Sequence, residues 1–321
     1  MLRKTIVTVA LLALGAASAH AEKISIDKKL PGYKPVAGVA GNLNSIGSDS
    51  LNNLMTYWAE GFKKKYPNVN IQIEGKGSST APPALIAGSA QLGPMSREMK
   101  PSEIEQFQKK FGYKPTKIGV ALDSLAVFVN KDNPVKSLSL DEVDAIFSKT
   151  RKRGMTDINT WGQLGVSGKL AAKPISLYGR NSASGTYGYF KEHALKKGDY
   201  KNTVKEQPGS ASVVEGVAKD IAAIGYSGIG YTTSGVRAVP LSVKKGGPVA
   251  EANYKNVLSG KYPLSRMLYI YVAKKPGQPL PKMTEEFLKY VLSKEGQQIV
   301  VKDGYDPLTS ALAAKQLKSL K

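Results

Sequence analysis

Apolar residues in this chain recur with two periods, and the period switches wherever glycine or proline intervenes. Leu51, Leu54, Met55, Trp58 and Phe62 fall three or four apart, which places them on one helix face ending before Pro67. Val69, Ile71 and Ile73 then alternate with polar residues, the pattern of a half-buried strand. Val36 to Ala40 reads as an earlier strand, Pro101 to Phe111 as a helix, and Lys117 to Asn130 as a long apolar run interrupted by Asp123-Ser124. Leu138 to Phe147 reads as a helix opening at Ser139, with Asp141 and Glu142 in its first turn. Further on, strands are predicted at Pro174 to Tyr178, Ile221 to Tyr226 and Ser265 to Val272. Helices are predicted at Tyr187 to Leu195, Ser212 to Lys219 and, last, Phe287 to Val301. Strands alternating with helices predict an α/β fold with a largely parallel sheet. In such sheets the loops at the strand ends gather on one edge, where ligands bind.

Those loops share a chemistry. Ser48 follows Gly47, a glycine and hydroxyl loop runs from Gly75 to Thr80, Ser96 and Arg97 follow Met95, and Gly179 to Thr186 joins a strand to a helix. The last loop is an anion cradle in outline. The first N–H groups of a helix lack intrahelical partners and carry the positive end of its dipole, so Ser184, Gly185 and Thr186 offer amides and hydroxyls to an oxyanion. Arg180 adds a planar, permanently charged fork. Ser184 or Thr186 could also serve simply as the helix cap. A nucleotide P-loop fails twice, since five residues separate Gly179 from Gly185 and no Lys precedes Thr186. Asp123 lies within an apolar run, where a carboxylate is costly to bury without hydrogen bonds, so it marks a surface bend or a site.

Composition narrows the classes. Arg3 and Lys4, the apolar run Ile6 to Leu14 and Ala19-His20-Ala21 form a secretory leader over residues 1 to 21, cleaved before Glu22. The leader's apolar run is shorter than a membrane span. With no cysteine, disulfides, thiolate metal sites and a lipidated N-terminal cysteine are all excluded, and a free periplasmic protein fits. Only His193 remains after cleavage, which excludes metal clusters built on several histidines and leaves one candidate for a catalytic triad. His193 reads as a solvated helix residue. The roughly 300 mature residues exceed what one core holds and favour two lobes with a cleft between them. The formal charge is +21, or +19 once Arg3 and Lys4 leave with the leader, a field that draws anions. The lysines are scattered and no basic segment is interleaved with aromatics, which argues against nucleic acid.

The chain resembles the periplasmic phosphate-binding proteins of phosphate-specific ABC transporters, within the type II periplasmic binding proteins. The resemblance runs over nearly all of the mature sequence. It rests on Gly-Arg-x-x-x-Ser-Gly-Thr at 179 to 186, Gly47-Ser48-Asp49, Gly77-Ser78-Ser79, Ser96-Arg97 and Ile224-Gly225-Tyr226, with support from Leu140-Asp141-Glu142, Trp161, Tyr262-Pro263-Leu264-Ser265 and Leu268 to Val272.

It implies two α/β lobes joined by two hinge crossings near Asn130 and near Arg266 or Met267. Lobe one would be 22–129 with 267–321, and lobe two 130–266. It further implies that lobe one supplies Ser48, Ser79, Ser96 and Arg97 to phosphate while lobe two supplies Arg180, Ser184, Gly185 and Thr186. The implied activity is capture without catalysis, with no cofactor or metal. The loaded monomer would deliver phosphate to inner-membrane ABC permease subunits. Relatives often place a carboxylate to accept the proton of hydrogen phosphate, yet Ala90-Gln91-Leu92-Gly93 and Ser96-Arg97 hold none. Asp123 is the candidate acceptor, with Asp49 the alternative, although Asp49 also suits support of the helix start. The other readings are a different tetrahedral oxyanion (sulfate, tungstate or molybdate) and an exported phosphatase.

Overall fold

The structure, a computed structural model, describes residues 24–321. The leader read over residues 1 to 21 lies outside the described residues. The chain opens with β1 (Gly41–Ile46), α1 (Asn52–Lys63), β2 (Val69–Glu74), α2 (Ala81–Ala87), β3 (Gly93–Met95) and α3 (Pro101–Phe111). Next comes the long β4 (Thr116–Asn130), then β5 (Leu138–Ser139), α4 (Leu140–Phe147), β6 (Ser176–Arg180) and α5 (Gly185–His193). β7 (Lys205–Gln207), α6 (Ser210–Ala218), β8 (Ala223–Gly228), β9 (Val236–Ala238), β10 (Leu241–Ser242) and α7 (Tyr254–Leu258) follow. The chain returns through β11 (Ser265–Val272) to α8 (Lys282–Val291), α9 (Lys294–Lys302) and α10 (Ser310–Lys318).

Most of the periodic segments fold as their patterns dictate. α1 buries Leu54, Met55, Trp58 and Phe62 on one face. α4 begins where Ser139 and Glu142 cap each other: the Glu142 N–H donates to Ser139 Oγ at 3.1 Å, and the Ser139 N–H donates to Glu142 at 2.9 Å. Three expectations change. The strand predicted from Val36 to Ala40 begins only at Gly41, because Gly38 takes a positive φ of 73° and breaks the extended run. The single terminal helix is two, separated where Ser293 caps α9 by accepting from Gly296 N, and α10 follows unforeseen.

The third concerns the sheet. Its strand order is β3-β11-β4-β8-β6-β7, with β9 also on β4. β6 pairs in parallel with β7 and β8, but β11 runs antiparallel to β3 and β4, as β4 does to β8. The sheet is mixed rather than largely parallel, because β4 leaves one half of the molecule and β11 returns to it. A separate parallel pair, β1 and β2, completes the first half.

Two large cores flank this passage. Trp58, Phe62, Val120, Leu268, Phe287 and Leu288 belong to one, with Leu122 packed against it. Leu125, Val127, Phe147, Trp161, Phe190, Ile224 and Leu264 belong to the other. β4 therefore changes core between Leu122 and Leu125, where Asp123 and Ser124 interrupt its apolar run. The return falls between Leu264 and Leu268.

Candidate functional site

The two halves meet at the loops that the sequence marked. β6 delivers Arg180 at its C-terminal end, and Ser184 caps α5 by accepting from the N–H groups of Thr186 at 3.1 Å and Tyr187 at 3.3 Å. The capping role and the cradle thus coexist: Ser184 Oγ consumes two of the helix's orphan donors, and the Gly185 N–H precedes them. Across the cleft, Ser48 Oγ donates to Ser96 Oγ at 3.0 Å, and Ser78 Oγ accepts from Ser96 N at 3.0 Å. The approach is close enough to require glycine on both sides. A Cβ on Gly185 would lie 2.2 Å from Ser78 Oγ and 2.6 Å from Ser96 Oγ, and one on Gly77 would lie 2.6 Å from the Ala183 carbonyl oxygen. The Ser79 N–H donates to that same carbonyl at 3.1 Å.

Arg180 is 1% exposed. Its Nη1 donates to Ser210 Oγ at 2.6 Å and lies 3.0 Å from Asp49 Oδ2, its Nη2 donates to Pro208 O at 3.0 Å, and its backbone N–H donates to the Tyr226 hydroxyl at 3.2 Å. Its Nε is buried without a partner in the protein. A buried guanidinium N–H left unmade is expensive, which leaves this one free for an acceptor that arrives from outside. Asp49 Oδ2 also accepts from Ser210 N at 2.8 Å and Ser210 Oγ at 2.7 Å, which ties the first turn after Ser48 to the start of α6. The Tyr231 hydroxyl donates to the Asp49 carbonyl at 2.8 Å, and burial followed by the Asp49 charge pushes this phenol well above its usual range.

Arg97 and Asp123 are brought to the cleft with their charges already matched. Arg97 grips Glu103 through both terminal nitrogens, at 2.8 and 2.7 Å, and gives two further bonds, to the Glu98 carbonyl at 2.8 Å and to Ser79 Oγ at 3.2 Å. Asp123 is fully buried, with Oδ1 accepting from Ile229 N at 3.0 Å and Oδ2 accepting from Arg266 Nε at 2.8 Å. Of the two readings left open for it, the surface bend is ruled out. Thr186 Oγ1 accepts from Arg266 Nη2 at 3.0 Å and shares a 2.8 Å bond with Ser50 Oγ.

Ser79, and not its neighbour Ser78, stood out in the sequence, where Arg266 marked only a hinge position and Ser210 nothing. Arg266 carried a usable signal, since it is a lone charge in an apolar strand just as Asp123 is. Ser210 carried none beyond its place at a helix start. His193 ends α5 with its ring 4.1 Å from that of Tyr189, and desolvation there lowers its pKa. Among the described residues no group of three or more His, Asp or Glu side chains is placed to hold a metal, and no helix is long and apolar enough to cross a membrane.

This arrangement, two cores hinged on shared strands with anion donors facing each other between them, defines a two-lobed binding protein. A family model described as a PBP superfamily domain matches residues 34–295. A phosphate-binding protein PstS of Pseudomonas aeruginosa strain PAO1 is 58% identical over 96% of this chain and 94% of its own. A phosphate-binding protein PstS of Staphylococcus haemolyticus is 30% identical over 88% and 85%. A solved structure from Clostridium perfringens, assigned as a phosphate ABC transporter substrate-binding protein and holding bound phosphate, superimposes with a TM-score of 0.71 at 28% identity, covering 84% of this chain and 100% of that one. The chain belongs to the PstS family of phosphate-binding proteins within the PBP superfamily.

Proposed function

We propose that this protein captures inorganic phosphate between its lobes and hands it to an ABC permease for import. The observation that carries the reading is Arg180, a buried guanidinium with an unpartnered Nε, which ends the strand before α5 and reaches across to Asp49 of lobe one at 3.0 Å. Ser48, Ser79, Ser96 and the amide of Gly185 would replace the water around phosphate, with Arg180 supplying positive charge, Arg97 adding less because Glu103 already balances it, and Ser184 holding the helix start through the Thr186 and Tyr187 amides. A ligand touching both lobes favours the closed state by the contacts it makes only there. Closure would pivot at residues 123–125 and 264–267, where the two strands change core. The chain would work as a periplasmic monomer after loss of its leader, without cofactor, metal or nucleic acid. It binds rather than reacts, in keeping with its membership of a family of phosphate-binding proteins.

Two carboxylates compete for the proton of hydrogen phosphate. Both oxygens of Asp123 are engaged by Ile229 N and Arg266, whereas Asp49 uses Oδ2 for its bonds to Ser210 and its contact with Arg180. Asp49 is therefore the acceptor we favour. Such a group can accept a hydrogen bond from phosphate and only repels sulfate, which keeps no proton at neutral pH. The test is calorimetric competition among phosphate, arsenate and sulfate on protein freed of bound anion. Phosphate should bind tightly, arsenate should compete, and sulfate should bind at least about a thousandfold more weakly. Sulfate binding as tight as phosphate would overturn the assignment.

A further inference from the structure

Asp123 and Arg266 face each other in register on β4 and β11, at the point where both strands pass from one core to the other. Their side chains are 0% and 2% exposed. Removing two charges from water is costly unless further hydrogen bonds satisfy them, and here the further bonds lead outward to both lobes. Asp123 Oδ1 accepts from Ile229 N on the lobe-two side. Arg266 Nη1 donates to the Ser96 carbonyl of lobe one at 2.9 Å, while Nη2 serves both Asp123 and the Thr186 hydroxyl of the lobe-two cradle. Three of the guanidinium's N–H groups thus donate in three directions, to Asp123, Ser96 and Thr186, a span that only its planar fork can make.

We propose that the Asp123–Arg266 pair is a positioning device for closure, one that holds the Thr186 end of the cradle in register with Ser96 and so sets how long phosphate stays bound. This rests on the phosphate reading above. Neither residue need touch the anion. Opening must break the Arg266–Thr186 contact and the Ser50–Thr186 bond beside it, because Thr186 moves with lobe two. These contacts form after the anion has entered, so the pair acts on release and not on capture.

The experiment is stopped-flow measurement of phosphate association and release by Arg266→Lys and by the double variant Asp123→Leu/Arg266→Met, with thermal unfolding of each. Lysine keeps the charge but cannot span three partners, and the double variant leaves no buried charge unpaired. Both should release phosphate about tenfold faster or more, with association within about threefold of the parent. A folded variant that releases at the parent's rate overturns the proposal, as does a loss in association equal to the gain in release. Failure of both variants to fold also overturns it, since the pair would then be a folding requirement. A parent that ignores phosphate would overturn the phosphate reading and this proposal with it; a parent that binds it, beside variants that release like the parent, overturns only this one.

Discussion

Arg180 on the lobe-two cradle and Arg97 on the lobe-one loop after β3 are both nearly fully buried guanidiniums at the cleft, yet their surroundings differ. Arg97 is clasped by Glu103 through two bonds, so its charge is cancelled within its own lobe. Arg180 rests mostly on neutral oxygens, those of Ser210 and Pro208, meets one oxygen of Asp49, and retains a buried N–H with nothing to donate to. Burial of an arginine thus says little about its use. What matters is how much donor capacity its neighbours leave unspent.

The sharpest break in this comparison is Arg180→Ala, expected to weaken phosphate binding by more than about a hundredfold in calorimetry, since a desolvated charge pair truncated on one side costs about 2–5 kcal/mol. Binding that survives this change would remove the asymmetry altogether. Next is Asp49→Asn. It should weaken phosphate about tenfold while narrowing the gap to sulfate, and Asp123→Asn should leave that gap wide; the reverse result would move the acceptor to the hinge.

Arg97→Ala should cost less than about tenfold in phosphate affinity, because the charge removed is already balanced, while lowering stability by about 1 kcal/mol as Glu103 loses its partner. The smallest effect is a control on stability alone. Asp303 is pushed up to about 7 by burial, and its Oδ2 is buried without a partner. Its folded-state pKa lies above the unfolded one, so the folded protein holds the proton more tightly and stability declines as pH rises from about 4 to about 7. Asp303→Asn should therefore be more stable than the parent at pH 8 by about 1 kcal/mol in denaturant unfolding, gain little at pH 4, and leave phosphate affinity unchanged.

Much of this architecture was legible in the chain. The α1 face, the alternation of β2, the whole of β11 and the Ser139 cap follow from local periodicity and capping, which need only near neighbours. The antiparallel course of β4 and β11 was not, because direction depends on where the chain returns after some 130 residues. The same limit governs the site. Arg180 and Ser184 stand out in one short motif, whereas the Asp123–Arg266 pair spans a sequence separation of 143 and shows itself only once two strands lie side by side. Glu103, which neutralises Arg97, is by position an ordinary first-turn acid of α3. Only its reach back to the preceding loop gives it a role.

The passage of the chain out through β4 and back through β11 also orders its assembly in time. The second core is enclosed within residues 125 to 264 and can be complete before the rest of the chain has been threaded out. The first core cannot, because Leu268, Phe287, Leu288 and Val300 belong to it and come last. The half that contributes Ser48 and Ser96 therefore stays unfinished until the final helices arrive. A chain stalled just short of β11 would hold a formed cradle with no opposing jaw.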